Sequence, residues 1–142
     1  KVFANYGIIF HFVDMHDLDA VEKLINKNTR MLWLETPTNP MMKIIDIEAL
    51  VNLGKKHNVL SMVDNTFASP ALQNPLDLGA DIVMHSVTKY LGGHSDVIQG
   101  ALVMNSADLH EKLYFIQRKQ KNELTKHLLI HLILFRRYAL MI

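Results

Sequence analysis

Apolar and polar positions fall into short blocks along this chain, and the blocks differ in period. The run Ile8-Ile9-Phe10-His11-Phe12-Val13 is aromatic and β-branched, which predicts a strand over 8–13. From 17 to 27 the spacing is helical: Ala20, Val21, Leu24 and Ile25 form one stripe, and Asp17 is placed to cap it. Met31-Leu32-Trp33-Leu34 predicts the next strand, closed by the turn-rich Thr36-Pro37-Thr38-Asn39-Pro40. Asp46 caps a second helix whose Ile47, Leu50, Val51 and Gly54 share a face. Val59-Leu60-Ser61-Met62-Val63 reads as a strand that stops at Asp64-Asn65. Pro70 and Pro75 divide the following stretch into turns with at most a short helix. Ile82-Val83-Met84-His85 and Gly100 to Met104 are two further strands, and Ser106 caps a helix carrying Leu109, Leu113 and Ile116. Strands alternating with helices predict an α/β fold, a mostly parallel sheet with helices on both faces.

Open α/β sheets collect ligands at the carboxyl ends of their strands. The polar residues just past those ends are Glu35 with Asn39, Asp64 with Asn65 and Thr66, and Ser86 with Thr88 and Lys89. Acids, amides, hydroxyls and a lysine converging on one edge describe a site for an anionic, nitrogen-containing ligand. Each residue alone has a plainer reading. Lys89 would be a surface lysine, Asp64 a cap, Asn39 a turn residue between two prolines, and Ser86 and Thr88 helix caps. Against the plain reading, Lys89 follows an apolar strand, and its nearest acids in sequence, Asp81 and Asp96, are seven or more positions away. Such surroundings favour loss of its proton, which an amine nucleophile needs.

Composition narrows the classes. The chain has 142 residues, 49% hydrophobic and 20% charged, with no cysteine. That is one folding domain, without a disulfide framework or thiolate metal site. The formal charge of +1 argues against a nucleic-acid binder, but it combines unlike parts. Residues 1–117 carry nine Lys/Arg against 13 Asp/Glu, a net of −4, whereas residues 118–142 carry six against one, a net of +5. The longest apolar stretch, 128–135, is interrupted by His131 and is too short to span a bilayer, so no membrane partner is expected. No targeting segment is legible, and cytoplasm is the default expectation. The sequence opens on Lys1-Val2-Phe3, which leads to the expectation of a piece of a longer chain.

Three motifs then become familiar as a set: Glu35-Thr36-Pro37-Thr38-Asn39-Pro40, Val63-Asp64-Asn65-Thr66-Phe67, and His85-Ser86-Val87-Thr88-Lys89-Tyr90-Leu91-Gly92-Gly93-His94-Ser95-Asp96. In order and spacing they closely resemble the Cys/Met-metabolism family of pyridoxal-phosphate enzymes, over roughly residues 1–117. The resemblance implies part of the large, cofactor-binding domain of a fold-type I transferase, with pyridoxal 5'-phosphate as cofactor. It implies that Lys89 holds the cofactor covalently and moves protons, that Asp64 pairs with the protonated pyridine nitrogen, and that Ser86 and Thr88 bind the phosphate. Asn39 would approach the phenolic oxygen and Thr66 would flank the ring; Tyr90 and His94 would shape the turn. The implied activity is transsulfuration on a small amino-acid substrate, by γ-replacement or γ-elimination on a homoserine ester or cystathionine. Alternatives are methionine γ-elimination, homoserine sulfhydrylation, or a catalytically inactive α/β fragment. His94-Ser95-Asp96, with the segment from Ser69 to Pro75, resembles the branches that make or cleave cystathionine more than the one that cleaves methionine. The family also implies a homo-oligomer, a dimer of dimers, and a substrate-carboxylate arginine and cofactor-stacking ring that lie outside these residues.

After Gln117 the resemblance stops, so 1–117 is read as the partial cofactor domain and 118–142 as an atypical basic tail. A displaced reading frame, a lineage-specific end, and a basic amphipathic helix are the three accounts of that tail. No metal site is expected. His94 and Asp96 have metal-like spacing but no further ligands nearby, and His127 with His131 is a pair only. The dinucleotide, Walker, nucleophile-elbow and zincin motifs are absent.

Overall fold

A computed structural model describes residues 7–124 and 138–141, with side chains as far as 118. The His127–His131 pair, the apolar run 128–135 and most of the basic tail lie outside the described residues. The elements run α1 (Leu18–Leu24), β1 (Met31–Glu35), α2 (Ile47–Lys56), β2 (Leu60–Asp64), α3 (Ser69–Leu72), β3 (Ile82–Ser86), β4 (Gly100–Met104), α4 (Ala107–Leu124) and β5 (Tyr138–Met141). They build one sheet in the order β1-β2-β3-β4-β5. β1, β2 and β3 are mutually parallel, β4 is antiparallel to β3, and β5 is antiparallel to β4. Four of the five strands therefore point the same way, and the mixed, mostly parallel α/β architecture agrees with the sequence pattern.

The expected caps form. Asp17 accepts the Ala20 amide at 2.9 Å and Asp46 accepts the Ala49 amide at 2.9 Å, each satisfying an orphan donor of the first helical turn. α2 buries Ile47, Leu50, Val51, Leu53 and Gly54, the face predicted by its period. Its end is set by close approach: a Cβ at Gly54 would meet the Val59 carbonyl oxygen at 2.9 Å, and both His57 and Val59 donate their amides to Gly54 O. Asn58, at φ +56°, turns the chain back toward β2. Glu22 of α1 ties the two helices together by accepting from Lys56 Nζ (2.6 Å) and His57 Nε2 (2.7 Å).

The core lies between α1, α2 and one face of the sheet, where Leu32, Leu34, Val63 and Val83 meet Leu50, Val51 and Leu53. Burying each such side chain contributes about 1.5–3 kcal/mol. On β1 only this face is covered, since Met31, Trp33 and Glu35 are exposed. At the opposite end of the strands, the Asp81 carboxylate accepts both the amide and the hydroxyl of Ser61 at 2.8 Å, fixing β3 against β2.

Two expectations change. Residues 8–13 form no strand: Phe12 is 96% exposed, and the segment pairs with no strand among the described residues. An apolar, β-branched run supplies propensity, but a strand also needs a partner for its ladder. α4 continues past position 117 to Leu124, and a fifth strand, unpredicted from the sequence, pairs along β4.

Candidate functional site

The strand register decides which polar residues meet. Glu35 on β1 is opposite Asp64 on β2, and Asp64 is opposite Met84 on β3, two residues before Ser86. Opposed residues in a parallel pair share a face, so Glu35, Asp64, Met84 and Ser86 lie on one side of the sheet, opposite the helical core. Of the polar residues named from the sequence, Glu35, Asp64 and Ser86 share this face at adjacent strand ends, whereas Asn65 turns to the buried face.

Local bonds shape each part. The Asp64 carboxylate accepts the Thr66 amide at 3.0 Å, and Thr66 Oγ1 accepts the Ser86 amide at 2.8 Å, which links the ends of β2 and β3. Glu35 Oε1 accepts the Asn39 amide at 3.2 Å, holding the turn that carries Asn39. Glu35 is therefore a brace for that turn, a role the sequence alone did not suggest. Thr38 fastens the same turn from its other side, where its hydroxyl accepts the Lys43 amide at 3.0 Å.

After Ser86 the chain makes a tight loop to Gln99. Lys89 donates its amide to Ser86 O, Gly92 to Val87 O at 2.7 Å, and Gly93 to Lys89 O. A Cβ on Gly92 would meet Val87 O at 2.7 Å, so only glycine permits this closure. Thr88 clasps the loop: its hydroxyl donates to Gln99 O at 3.2 Å and accepts the Gln99 amide at 2.8 Å. The Thr88 proton is thus engaged, and the hydroxyl donates to an anion only by turning away from Gln99 O. Tyr90 meets the Phe67 ring edge-on at 6.0 Å, which joins the loop to the segment after β2. Lys89 is exposed, and no ion pair among the described residues engages it.

His94 is held in the turn by its Nδ1–H, which donates to Gly92 O at 2.9 Å. No group of three metal-ligating side chains occurs among the described residues. A surface cavity is lined by Asp14, His16, Asp17, Leu18 and Asp19, none of which belongs to these strand ends.

Behind the site is a buried polar layer, and one of its members, Asn65, is a residue that the sequence pattern assigns to the ligand edge instead. Thr36, Asn65 and His85 each adjoin a site residue, and all three are buried, at 1%, 1% and 4% exposure. Gln73 reaches into this layer and donates to both Thr36 O (3.0 Å) and Asn65 Oδ1 (2.9 Å). Burial pushes the His85 imidazole below its ordinary pKa; the nearby Asp64 charge and the Asn65 backbone oppose that shift without cancelling it. Among the described residues, His85 Nδ1 has no hydrogen-bond partner. The usable sign was period-two alternation, which puts Asn65 and His85 on the core side of their strands.

A carboxylate and a hydroxyl lie at the carboxyl edge of this α/β sheet, and the loop that carries the Lys89 amine follows directly. The chain belongs to the Cys/Met metabolism PLP-dependent enzyme family, whose model matches residues 1–127. It is 56% identical over 117 residues to cystathionine gamma-synthase of Mycobacterium leprae, covering 82% of this chain and 30% of that protein. It is 52% identical over 117 residues to cystathionine gamma-lyase of Bacillus subtilis, covering 82% of this chain and 31% of that protein. The solved cystathionine gamma-lyase of Lactobacillus plantarum, complexed with L-serine, superposes with a TM-score of 0.82 at 50% identity, over 84% of this chain and 31% of that one. The chain spans about a third of the length of these relatives. No helix among the described residues is long and apolar enough to cross a membrane.

Proposed function

We infer that this chain carries the pyridoxal 5'-phosphate part of the active site of a transsulfuration enzyme, one that performs γ-replacement or γ-elimination on a homoserine ester or cystathionine. The observation that carries this reading is the row formed by Glu35, Asp64 and Met84 at adjacent strand ends, with Ser86 and the Lys89 loop immediately beyond. The donor set fits the cofactor's chemistry: an exposed amine for an aldehyde, a carboxylate for a pyridinium, and a hydroxyl in a tight turn for a phosphate.

When bound, pyridoxal phosphate supplies a cationic ring that accepts the electron pair released at the substrate α-carbon. Asp64 gives that ring nitrogen a negative acceptor and keeps it protonated. Lys89 would hold the cofactor through its aldehyde, and its amine is the group on this chain that could move protons at the substrate's α- and β-carbons. Departure of a γ-substituent requires both transfers. Ser86 would hold the phosphate, joined by Thr88 once its hydroxyl releases Gln99 O. Asn39, braced by Glu35, would serve the phenolic oxygen, and Thr66, which tethers the Ser86 amide, would flank the ring. The relatives' names, spanning a synthase and a lyase of cystathionine, support the γ-carbon chemistry. The sulfur-containing amino-acid substrate and a homo-oligomeric assembly belong to the same proposal.

The test is titration of the purified chain with pyridoxal phosphate, followed by borohydride reduction. A yellow complex that becomes an irreversible label is the expected result. A chain that takes no label is an inactive α/β module.

A further inference from the structure

Asp64 and the Asn39 turn sit on separate strands, and one buried amide pair reaches both. Asn65 follows Asp64 directly, and Thr36 follows Glu35 directly. Gln73 Nε2 donates to Asn65 Oδ1 at 2.9 Å and to Thr36 O at 3.0 Å, while Asn65 Nδ2 donates back to Gln73 O at 2.9 Å. The Asn65 backbone is held as well: its amide donates to Met84 O, and its carbonyl accepts the Ser69 amide, both at 2.9 Å. Thr36 Oγ1 accepts the Ile45 amide at 3.2 Å, closing the far side of the Asn39 turn. One side chain, Gln73, therefore spans the ends of β1 and β2 and the turn after α3.

We propose that Asn65 and Gln73 are positioning residues: their reciprocal amide pair clamps the strand ends from the core side and so sets Asp64, Thr66 and Ser86 in register for the ligand. The ligand in this statement rests on the reading given under Proposed function, but the clamp itself is measurable without cofactor. A hydrogen bond whose buried partner is left unsatisfied loses far more than the net worth of the bond, whereas replacing both partners by apolar groups is nearly neutral. The pair should therefore show non-additive behaviour.

Amide hydrogen exchange on the full 142-residue chain decides the matter, with wild type compared against Gln73→Met and the double variant Asn65→Leu/Gln73→Met. In Gln73→Met, exchange at the Thr66 and Ser86 amides should accelerate by about tenfold or more, the loss expected for an unsatisfied buried acceptor. Ladder amides at Leu34 and Val63 should stay within about twofold of wild type, as local opening requires. The double variant leaves the Thr36 and Gln73 main-chain carbonyls without their side-chain donors, so it should not regain the lost melting temperature and should keep the fast exchange at Thr66 and Ser86. In parallel, the pyridoxal phosphate concentration that half-labels Lys89 should rise by about tenfold in Gln73→Met, the same loss read through the ligand. Unchanged exchange at Thr66 and Ser86, or equal acceleration of all four amides, overturns the clamp. A wild-type chain that takes no label overturns the cofactor reading instead, and exchange alone then judges the clamp.

Discussion

At the carboxyl ends of β1, β2 and β3, neighbouring residues face opposite sides of the sheet and have opposite fates. Glu35, Asp64 and Ser86 line the open side, whereas Thr36, Asn65 and His85 are sealed in the core side. Both rows are polar. In the buried row Thr36 and Asn65 engage fixed partners, as burial of a polar group requires, while His85 Nδ1 has none among the described residues. In the open row the same strand ends present groups that a ligand can engage, although each is braced by a backbone amide or loop. The comparison teaches that polarity marks a site only when combined with the face it occupies. A single alternation along each strand separates the fastening from the reacting groups.

The largest expected effect comes from breaking the core side below the buried row. Leu34 is fully buried, and Leu34→Ala should cost about 2–5 kcal/mol of unfolding free energy. Denaturant unfolding followed by circular dichroism measures it. On the open row, Asp64→Asn should leave the fold intact but weaken pyridoxal phosphate binding by about 10- to 100-fold, the worth of a charge-assisted hydrogen bond. Spectral titration measures that ratio, and in the holoenzyme most turnover should be lost too. Near-wild-type turnover would contradict the role given to Asp64.

A smaller effect tests His85. Its pKa is depressed in the folded state, so the unfolded chain binds the proton more readily. Stability is therefore fully present above the ordinary histidine value of about 6.5 and falls as pH drops through it toward the folded value. Melting temperatures at stepped pH should show this slope in wild type and a flatter one in His85→Phe. The smallest effect is expected at Trp33, one residue before Leu34 but 55% exposed on the open face. Trp33→Ala should change stability by only about 0.5 kcal/mol. A loss as large as that of Leu34→Ala would mean that the two faces are not distinct.

Much of this arrangement is legible from the sequence. The caps Asp17 and Asp46 and the stripe from Ile47 to Gly54 predict α1 and α2, because local spacing determines both. The three polar clusters follow from the rule that parallel strands align their carboxyl ends. What stays hidden depends on distant partners. Residues 8–13 have the composition of a strand but pair with no strand among the described residues. Thr88 reads as a ligand residue, but its contact with Gln99, 11 positions away, appears only in the folded loop. Gln73 is equally silent, since its bonds to Thr36 and Asn65 span 37 and eight positions. Glu35 was placed near the site by its motif, and its brace to Asn39 required coordinates.

The open row and the loop that follows it are proposed to hold the cofactor, with Lys89 as the residue that takes it. Peptide mapping of the borohydride-reduced chain, with Lys89→Ala treated alongside, measures this directly. The account predicts one pyridoxyl label per wild-type chain, located on Lys89, and none in Lys89→Ala. Equal labelling of both chains, or a label scattered over surface lysines such as Lys27 and Lys43, would contradict it.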